Sequence, residues 1–349
     1  MKTAWETLLK DSVRNPRELA GCLPLDLAGA ETVTAVYPMK INPYFLDLML
    51  QKGPTLIRQV VPDTRELLDP IGMDDPLGEE NYSPVPNLTH RYPDRVLFLV
   101  SSECPVYCRF CTRKRRIGKT GAVTTRALTE CFRYIRAHRE VRDVLLSGGD
   151  PLLLSDERLE WILSSVRSIP HVEIIRIGTR VPGALPQRVT ARLCRMLKKY
   201  HPLYFNLHFN HSDELTDASK QACGHLADAG IPLGSQTVLL RGINDEPSVV
   251  QNLMTSLLAM RVRPYYLLQG DLTRGTNHFR TRLETGLKIL RHLRGRVSGL
   301  AVPTYVVDLP GGGGKVPLIP EYRLEQRGRE AVFKNYLDQE YRYSEPTIP

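Results

Sequence analysis

Cys104, Cys108 and Cys111 form a Cys-x3-Cys-x2-Cys run within Cys104-Pro-Val-Tyr-Cys108-Arg-Phe-Cys111. Three thiols this close do not pair off with one another as disulfides. A structural zinc site would want a fourth ligand, such as a second cysteine pair. Three thiolates do suit a [4Fe–4S] cluster in which one iron has no protein ligand. An iron left open in this way can take a chelating cosubstrate. The remaining cysteines, Cys22, Cys131, Cys194 and Cys223, are single, and a single cysteine is most often core.

Pro310-Gly311-Gly312-Gly313-Gly314-Lys315 is the second chemical feature. Consecutive glycines permit backbone conformations closed to other residues and let the chain approach a ligand closely. A phosphate-binding P-loop would continue as Gly-Lys-Ser/Thr into a helix, whereas Val316-Pro317 follows here. A lysine on a mobile glycine hinge suits Schiff-base formation with a carbonyl cofactor. The plainer alternative is a flexible loop.

Such groups need a scaffold, and the pattern from residue 95 onward supplies one. Short apolar or β-branched runs predict strands at Val96–Val100, Asp143–Leu146, Glu173–Ile177, Tyr204–His208, Gly234–Leu239 and Pro264–Leu268. They read as strands buried on both faces. Between them, helical periodicity covers Thr125–His138, Asp156–Arg167, Gln187–Tyr200, Asp213–Ala229 and Pro247–Met260. Six βα units with right-handed crossovers make a parallel α/β sheet that curls into a partial (β/α)6 barrel. Ligands then belong at the carboxyl ends of the strands. The cysteine run, Ser147-Gly148-Gly149-Asp150, Arg176–Arg180, His208, Gln236 and Asp271 all fall at or near those ends. Residues 1–90 read as a helical cover broken by prolines, 91–300 as the barrel, and 301–349 as a C-terminal segment carrying Lys315.

The chain has 349 residues, 42% of them hydrophobic, enough for a large α/β domain with additions. No stretch approaches the ~20 apolar residues of a membrane span, and the N-terminus lacks the apolar core of a signal peptide. With seven cysteines, this fits a reducing cytoplasm. The formal charge of +9 raises nucleic acid as a partner. The basic residues are dispersed, however, and no recognition motif accompanies them, so a solvated basic surface is the expectation.

The cysteine run resembles the signature of the radical S-adenosylmethionine enzymes. Over about residues 65–345 the chain is similar to the lysine 2,3-aminomutase family, which also uses pyridoxal 5'-phosphate. The similarity rests on an ordered series of motifs. These are Asp75-Pro-Leu-Gly, Ser83-Pro-Val-Pro-Asn-Leu-Thr-His-Arg-Tyr-Pro-Asp-Arg95, the cysteine run with Thr112-Arg-Lys-Arg115, Ser147-Gly-Gly-Asp-Pro151, Pro264-Tyr-Tyr266, Asp271-Leu-Thr-Arg-Gly275, His278-Phe-Arg280 and Val307-Asp-Leu-Pro-Gly-Gly-Gly-Gly-Lys315.

The resemblance implies roles. Cys104, Cys108 and Cys111 would hold the cluster, whose open iron takes the amino and carboxylate groups of S-adenosyl-L-methionine. Ser147, Gly148, Gly149 and Asp150, with His208 and Gln236, would surround that cosubstrate; Asp150 also reads as the cap of a tight turn. Lys315 would form the Schiff base, with Arg91, Tyr92 and Arg95 around the pyridoxal phosphate, although the arginines also read as surface partners of Asp94. Arg113 would take the α-carboxylate of a lysine substrate, and Asp271 with Asp308 its ε-ammonium. The implied reaction is 2,3-amino migration between L-lysine and β-lysine, fed by a reductant such as flavodoxin or ferredoxin. Another cationic amino acid, arginine or ornithine, is the first alternative. A basic iron–sulfur protein that binds RNA or a protein partner is the second. Longer members of the family bind zinc between subunits through cysteines near their C-termini. No cysteine follows Cys223 here, so that zinc site is not expected and a homo-oligomer is left open.

Overall fold

The computed structural model describes residues 4–118 and 121–346. The outermost three residues of the expected helical cover and of the expected C-terminal segment lie outside this range. Nine strands form one sheet in sequence order. They are β1 (Leu88–Tyr92), β2 (Arg95–Ser101), β3 (Asp143–Gly148), β4 (Ile174–Thr179), β5 (Leu203–Leu207), β6 (Leu233–Leu239), β7 (Val262–Gln269), β8 (Thr304–Leu309) and β9 (Gly314–Pro317). Strands β2 to β8 are parallel, while β1 and β9 pair antiparallel at the two edges. All six expected strands are present within this curled α/β half-barrel. The sequence pattern passed over β1, β8 and β9, each of which carries polar groups of the site.

The sheet differs from expectation in its burial. Its strands are not apolar on both faces: β4 and β6 alternate strictly between buried and half-buried residues. Val144, Leu146, Ile175 and Ile177 pack outward into the main core, while Leu145, Ser147, Arg176 and Gly178 face the concave side. A half-barrel has no layer packed inside its curve, so that face is free to be polar.

Helices cover the convex face: α1 (Thr125–Ala137), α2 (Asp156–Arg167), α3 (Ala191–Leu197), α4 (Asp217–Asp228), α5 (Pro247–Ala259) and α6 (Leu283–Leu293). Thr124, Ser155, Thr190 and Thr216 each cap a helix by accepting a backbone N–H three residues on. These caps explain why α3 and α4 begin later than periodicity suggests. Helix α1 buries Leu128, Cys131, Phe132 and Ile135, a stripe at helical spacing.

The N-terminal segment folds as helices whose buried Leu19, Phe45, Met49, Leu56 and Val60 form a second core. Val106, inside the cysteine run, belongs to that core, so the cover packs directly on the loop that carries the thiols. Three further strands, Arg323–Arg327, Glu330–Lys334 and Glu340–Ser344, make a separate antiparallel sheet near the C-terminus. Among the described residues no helix is long and apolar enough to cross a membrane.

Candidate active site

The cysteine loop leaves the end of β2 and is tied down from beneath. The Tyr107 N–H donates to Lys40 O at 2.9 Å and the Arg109 N–H to Gln59 O at 2.8 Å. Below it lies a buried ionic triad. Arg109 reaches Glu66 at 2.6 Å and Lys114 reaches the same carboxylate at 2.5 Å. Lys114 also donates to Gly275 O at 2.9 Å, which links the cysteine loop to the loop following β7. Glu66 begins as the partner of Asp63 in a capping box, so one side chain orders a turn of the cover and neutralises two cations under the thiols. Burial works against ionising Glu66, but the two cations outweigh it and hold its carboxyl below the usual range.

The three thiols are half-buried. Burial, then the neighbouring Cys111, pushes Cys104 well above the ordinary thiol range. Burial, then Cys108, pushes Cys111 up to about 11. Arg180 donates to Cys108 Sγ at 2.6 Å and is itself held by Glu214 at 3.1 Å. Three half-buried thiols gathered on one loop, two of them held against ionisation, are a donor set that a bound metal cluster would stabilise.

The glycines after β3 dock against this loop. The Gly149 N–H donates to Ser101 O and the Asp150 N–H to Glu103 O, both at 2.6 Å. A Cβ on Gly148 would stand 2.2 Å from Ser101 O, and one on Gly149 would stand 2.2 Å from Glu103 O. Gly148 also has φ +128°. Only glycine permits this contact, which sets the cysteine loop against the β3 turn. Asp150 caps that turn by accepting from the Leu152 N–H, and it also accepts from Thr179 Oγ1 and the Arg180 N–H. Its burial pushes the carboxyl up to about 6 against these bonds.

A cavity of about 570 Å³ opens on the concave face. Its walls bring together Arg91, Tyr92, Arg95, Arg113, Ser147, Gln236, Asp271, Asp308 and Lys315. Gly148 and Gly149 line a smaller cavity of about 240 Å³ to which Arg113 also contributes. His208 stands just past β5 and outside both linings. Its ring stacks on Phe110 at 5.7 Å and its Nε2 faces Asn210 Nδ2 at 3.1 Å. Burial, then Arg180, pushes it down to about 3, so it is neutral.

Lys315 is not on a free hinge. It lies in β9, in register with Asp308 of β8, and its ammonium hydrogen-bonds the Asp308 carboxylate. The Lys315 backbone N–H donates to Tyr92 Oη at 3.1 Å. The glycine loop before it is clasped: the Gly311 N–H donates to Pro76 O at 2.8 Å, and a Cβ on Gly312 would lie 2.2 Å from the Tyr82 ring. Arg91 reaches Asp308 at 3.2 Å. The Arg95 and Arg91 guanidiniums lie 3.9 and 4.7 Å from the centre of the Tyr92 ring. Arg95 also pairs with Asp94 at 2.8 Å, the surface partnership that its neighbour in sequence suggested. Asp271 has its carboxyl pushed up to about 7, by burial first and by Asp308 second.

Glu79 is a site residue that sequence reasoning passed over. It is buried and grips Arg113 side-on, with Nη2 at 2.6 Å and Nε at 3.0 Å from Oε1. Its only sequence signal is an acidic pair, Glu79-Glu80, just after the Asp75-Pro-Leu-Gly motif. Arg176, Asn206, Tyr265, Tyr266 and Arg280 also line the cavity and were not singled out as site residues. Arg176 stays in place by pairing with Asp143 at 2.9 Å.

A radical SAM superfamily profile matches residues 98–250, and a lysine-2,3-aminomutase profile matches residues 290–348. An L-lysine 2,3-aminomutase of Acetoanaerobium sticklandii is 47% identical over 98% of this chain and 84% of its own length. The chain belongs to the lysine 2,3-aminomutase family. An L-lysine 2,3-aminomutase of Methanococcus maripaludis is 50% identical over 89% of this chain and 73% of that protein. A glutamate 2,3-aminomutase of Clostridioides difficile is 48% identical over 84% of this chain and 70% of that protein.

As a lysine 2,3-aminomutase family member the chain is a radical SAM enzyme, and the family's groups are a [4Fe–4S] cluster, S-adenosylmethionine and pyridoxal phosphate. The residues present fit all three. The half-buried thiols suit the cluster, and Gly148 and Gly149 line the cavity of about 240 Å³ beside them, where a cosubstrate could lie. Lys315, beside two arginines and a tyrosine, suits a phosphorylated aldehyde.

Proposed function

We propose that this protein interconverts L-lysine and β-lysine by moving the α-amino group to carbon 3. The observation that carries the reading is the set of charges gathered on the wall of the cavity of about 570 Å³, Lys315 together with Arg113 and the acid pair Asp271 and Asp308. In this reading Arg113 receives the α-carboxylate and the two aspartates receive the ε-ammonium. Arg91 and Arg95 face the cofactor phosphate, and Tyr92 flanks the ring. Cys104, Cys108 and Cys111 hold the cluster. Ser147, Gly148, Gly149, His208 and Gln236 surround the cosubstrate, with Asp150 bracing the turn. When bound, the cluster and S-adenosylmethionine supply hydrogen-atom abstraction, while pyridoxal phosphate supplies a carbonyl and a π system for the migrating nitrogen.

The chain's own work is positioning and charge. Glu79 fixes the Arg113 guanidinium from one side and leaves Nη1 for another carboxylate. Asp308 holds the Lys315 ammonium beside the cavity until that amine is used. Because Asp271 sits near neutrality, an incoming ammonium favours its ionised form and relieves its repulsion with Asp308. A glutamate side chain would meet two carboxylates instead, which disfavours the glutamate specificity of one relative. Segments 1–90, 91–300 and 301–349 then act as cover, barrel and carrier of the lysine. A one-electron donor of the flavodoxin or ferredoxin type would serve the cluster.

The test is an anaerobic, reduced assay with isotopically labelled L-lysine, run beside arginine, ornithine and glutamate. Labelled β-lysine formed faster than any other product supports the assignment. Faster turnover of arginine, ornithine or glutamate overturns the substrate, because the acid pair selects charge and does not measure chain length.

A further inference from the structure

Strand β1 presents Thr89 and Arg91 to the cavity, while His90, between them, is turned the other way. On that outer side it meets His138, the residue ending α1, and Glu140 just beyond. One donor atom of each lies within 4.8 Å of the other two. Both imidazoles are half-buried and Glu140 is exposed.

We infer that His90, His138 and Glu140 form a binding site for a divalent transition cation of the zinc type. Two imidazoles and a carboxylate are a familiar zinc donor set, with the remaining position open to water. Zinc holds such donors at about 2.0–2.2 Å, which sets them roughly 3.3 Å apart. A contraction of about 1.5 Å at most is required, and the exposed Glu140 side chain can supply much of it.

The rings are already oriented by neighbours. Tyr134 Oη contacts His90 Nδ1 at 2.9 Å, and the Tyr134 ring stacks on His138 at 3.9 Å between centroids. His138 Nδ1 contacts Glu140 Oε1 at 2.8 Å. The second nitrogen of His90 has only a 3.5 Å contact, to Pro93 O. The Tyr134 contact orients the His90 ring through Nδ1, as a partner on the second nitrogen usually does for a ligating histidine, while the His138–Glu140 contact already brings two of the three donors together. Such a cation would bridge the edge strand that carries Arg91 and Tyr92 to the end of α1.

The holoenzyme, with the exposed Cys22 changed to serine in every sample, is titrated with Zn²⁺ against a chromophoric chelator. Crystals are examined by anomalous scattering at the zinc edge. One zinc per chain is expected at about micromolar affinity, with the anomalous peak between the three side chains. His138→Ala, and separately the double change His90→Gln with His138→Gln, should weaken binding by at least about 10-fold. Glu140→Gln should weaken it less. No saturable binding, or equal binding by wild type and both histidine variants, overturns the site. Neither outcome depends on lysine turnover.

Discussion

Replacing Asp271 by asparagine should stabilise the ligand-free protein at pH 8 while weakening its hold on lysine. The carboxyl ordinarily titrates at 3.8 and stands at about 7 here, raised by burial and by Asp308. Between those two values the native chain keeps a proton that the unfolded chain has lost, so native stability falls as pH rises. The penalty is absent below the unfolded value, grows between the two, and is complete above about pH 7. Each unit is worth about 1.4 kcal/mol, so a gap of roughly three units gives an upper figure near 4 kcal/mol. Asparagine fills the same space without that charge. Denaturant unfolding of cofactor-free wild type and Asp271→Asn at pH 4.5, 6 and 8 should show a gain of several kcal/mol at pH 8 that shrinks to about 1 kcal/mol at pH 4.5. A gain constant across pH, or a loss at pH 8, would refute the reasoning.

The same group sets how lysine affinity responds to pH. With a value of about 7, Asp271 is roughly nine-tenths ionised at pH 8 and one-tenth ionised at pH 6. Lysine should bind the cofactor-free protein, in which Lys315 keeps the charge that helps set this value, about 10-fold more weakly at pH 6 than at pH 8. In Asp271→Asn the affinity should be weaker overall and nearly flat across that range. A wild-type profile as flat as the variant's would separate Asp271 from ammonium recognition.

Glu66→Ala strands Arg109 and Lys114 in a buried pocket, a loss on the order of 3–5 kcal/mol; thermal unfolding and iron content per chain after reconstitution should both fall. Gly149→Ala drives a methyl group into Glu103 O and should displace the cysteine loop, so S-adenosylmethionine binding by calorimetry should be lost while the helical circular dichroism is kept. Lys315→Ala should abolish borohydride-trapped pyridoxal attachment and turnover, yet leave iron and sulfide content unchanged.

The barrel was legible because its βα units are local. Each helix buries one stripe of its own, and each strand is a short apolar run, so the periodicities appear in any window of the chain. The cysteine run and Lys315 stood out in the sequence for a different reason, since few other chemistries use those residue types at that spacing, and the fold brings Lys315 to the cavity wall. Glu79 was not legible. Its partner Arg113 lies 34 residues away, and a surface Glu-Glu pair looks the same in sequence as one buried acid beside one exposed acid. Strands β1 and β9 were missed because edge strands with polar inner faces, such as Thr89 and Arg91 or Lys315, do not alternate apolar with polar in the expected sense. The inner polarity of β4 and β6 was missed for a related reason: only the curvature of the sheet decides which face has nothing packed on it.

The segment from Asp75 to Tyr82 explains how distant loops come to share one cavity. Its Pro76 O and Tyr82 ring clasp the glycines before Lys315. Interleaved with them, Glu79 grips Arg113, and Asp75 and Glu80 reach Arg115 at 3.1 and 3.3 Å, both arginines lying on the chain just after the last cysteine. In the proposed reading, a substrate whose amine is handled at Lys315 and whose carboxylate is held by Arg113 would be measured against a single short strap. Two independent loops, each tethered only to its own strand end, would drift relative to each other by the side-chain and backbone freedom of both. Misplacement of about 1 Å is enough to cost orders of magnitude in rate when reacting groups must be held in register. Burial of Glu79 disfavours its charge, and Arg113 with Arg115 and Arg116 together more than offsets that burial. The ion pair is thus best understood as fixing geometry, with net stability a secondary matter.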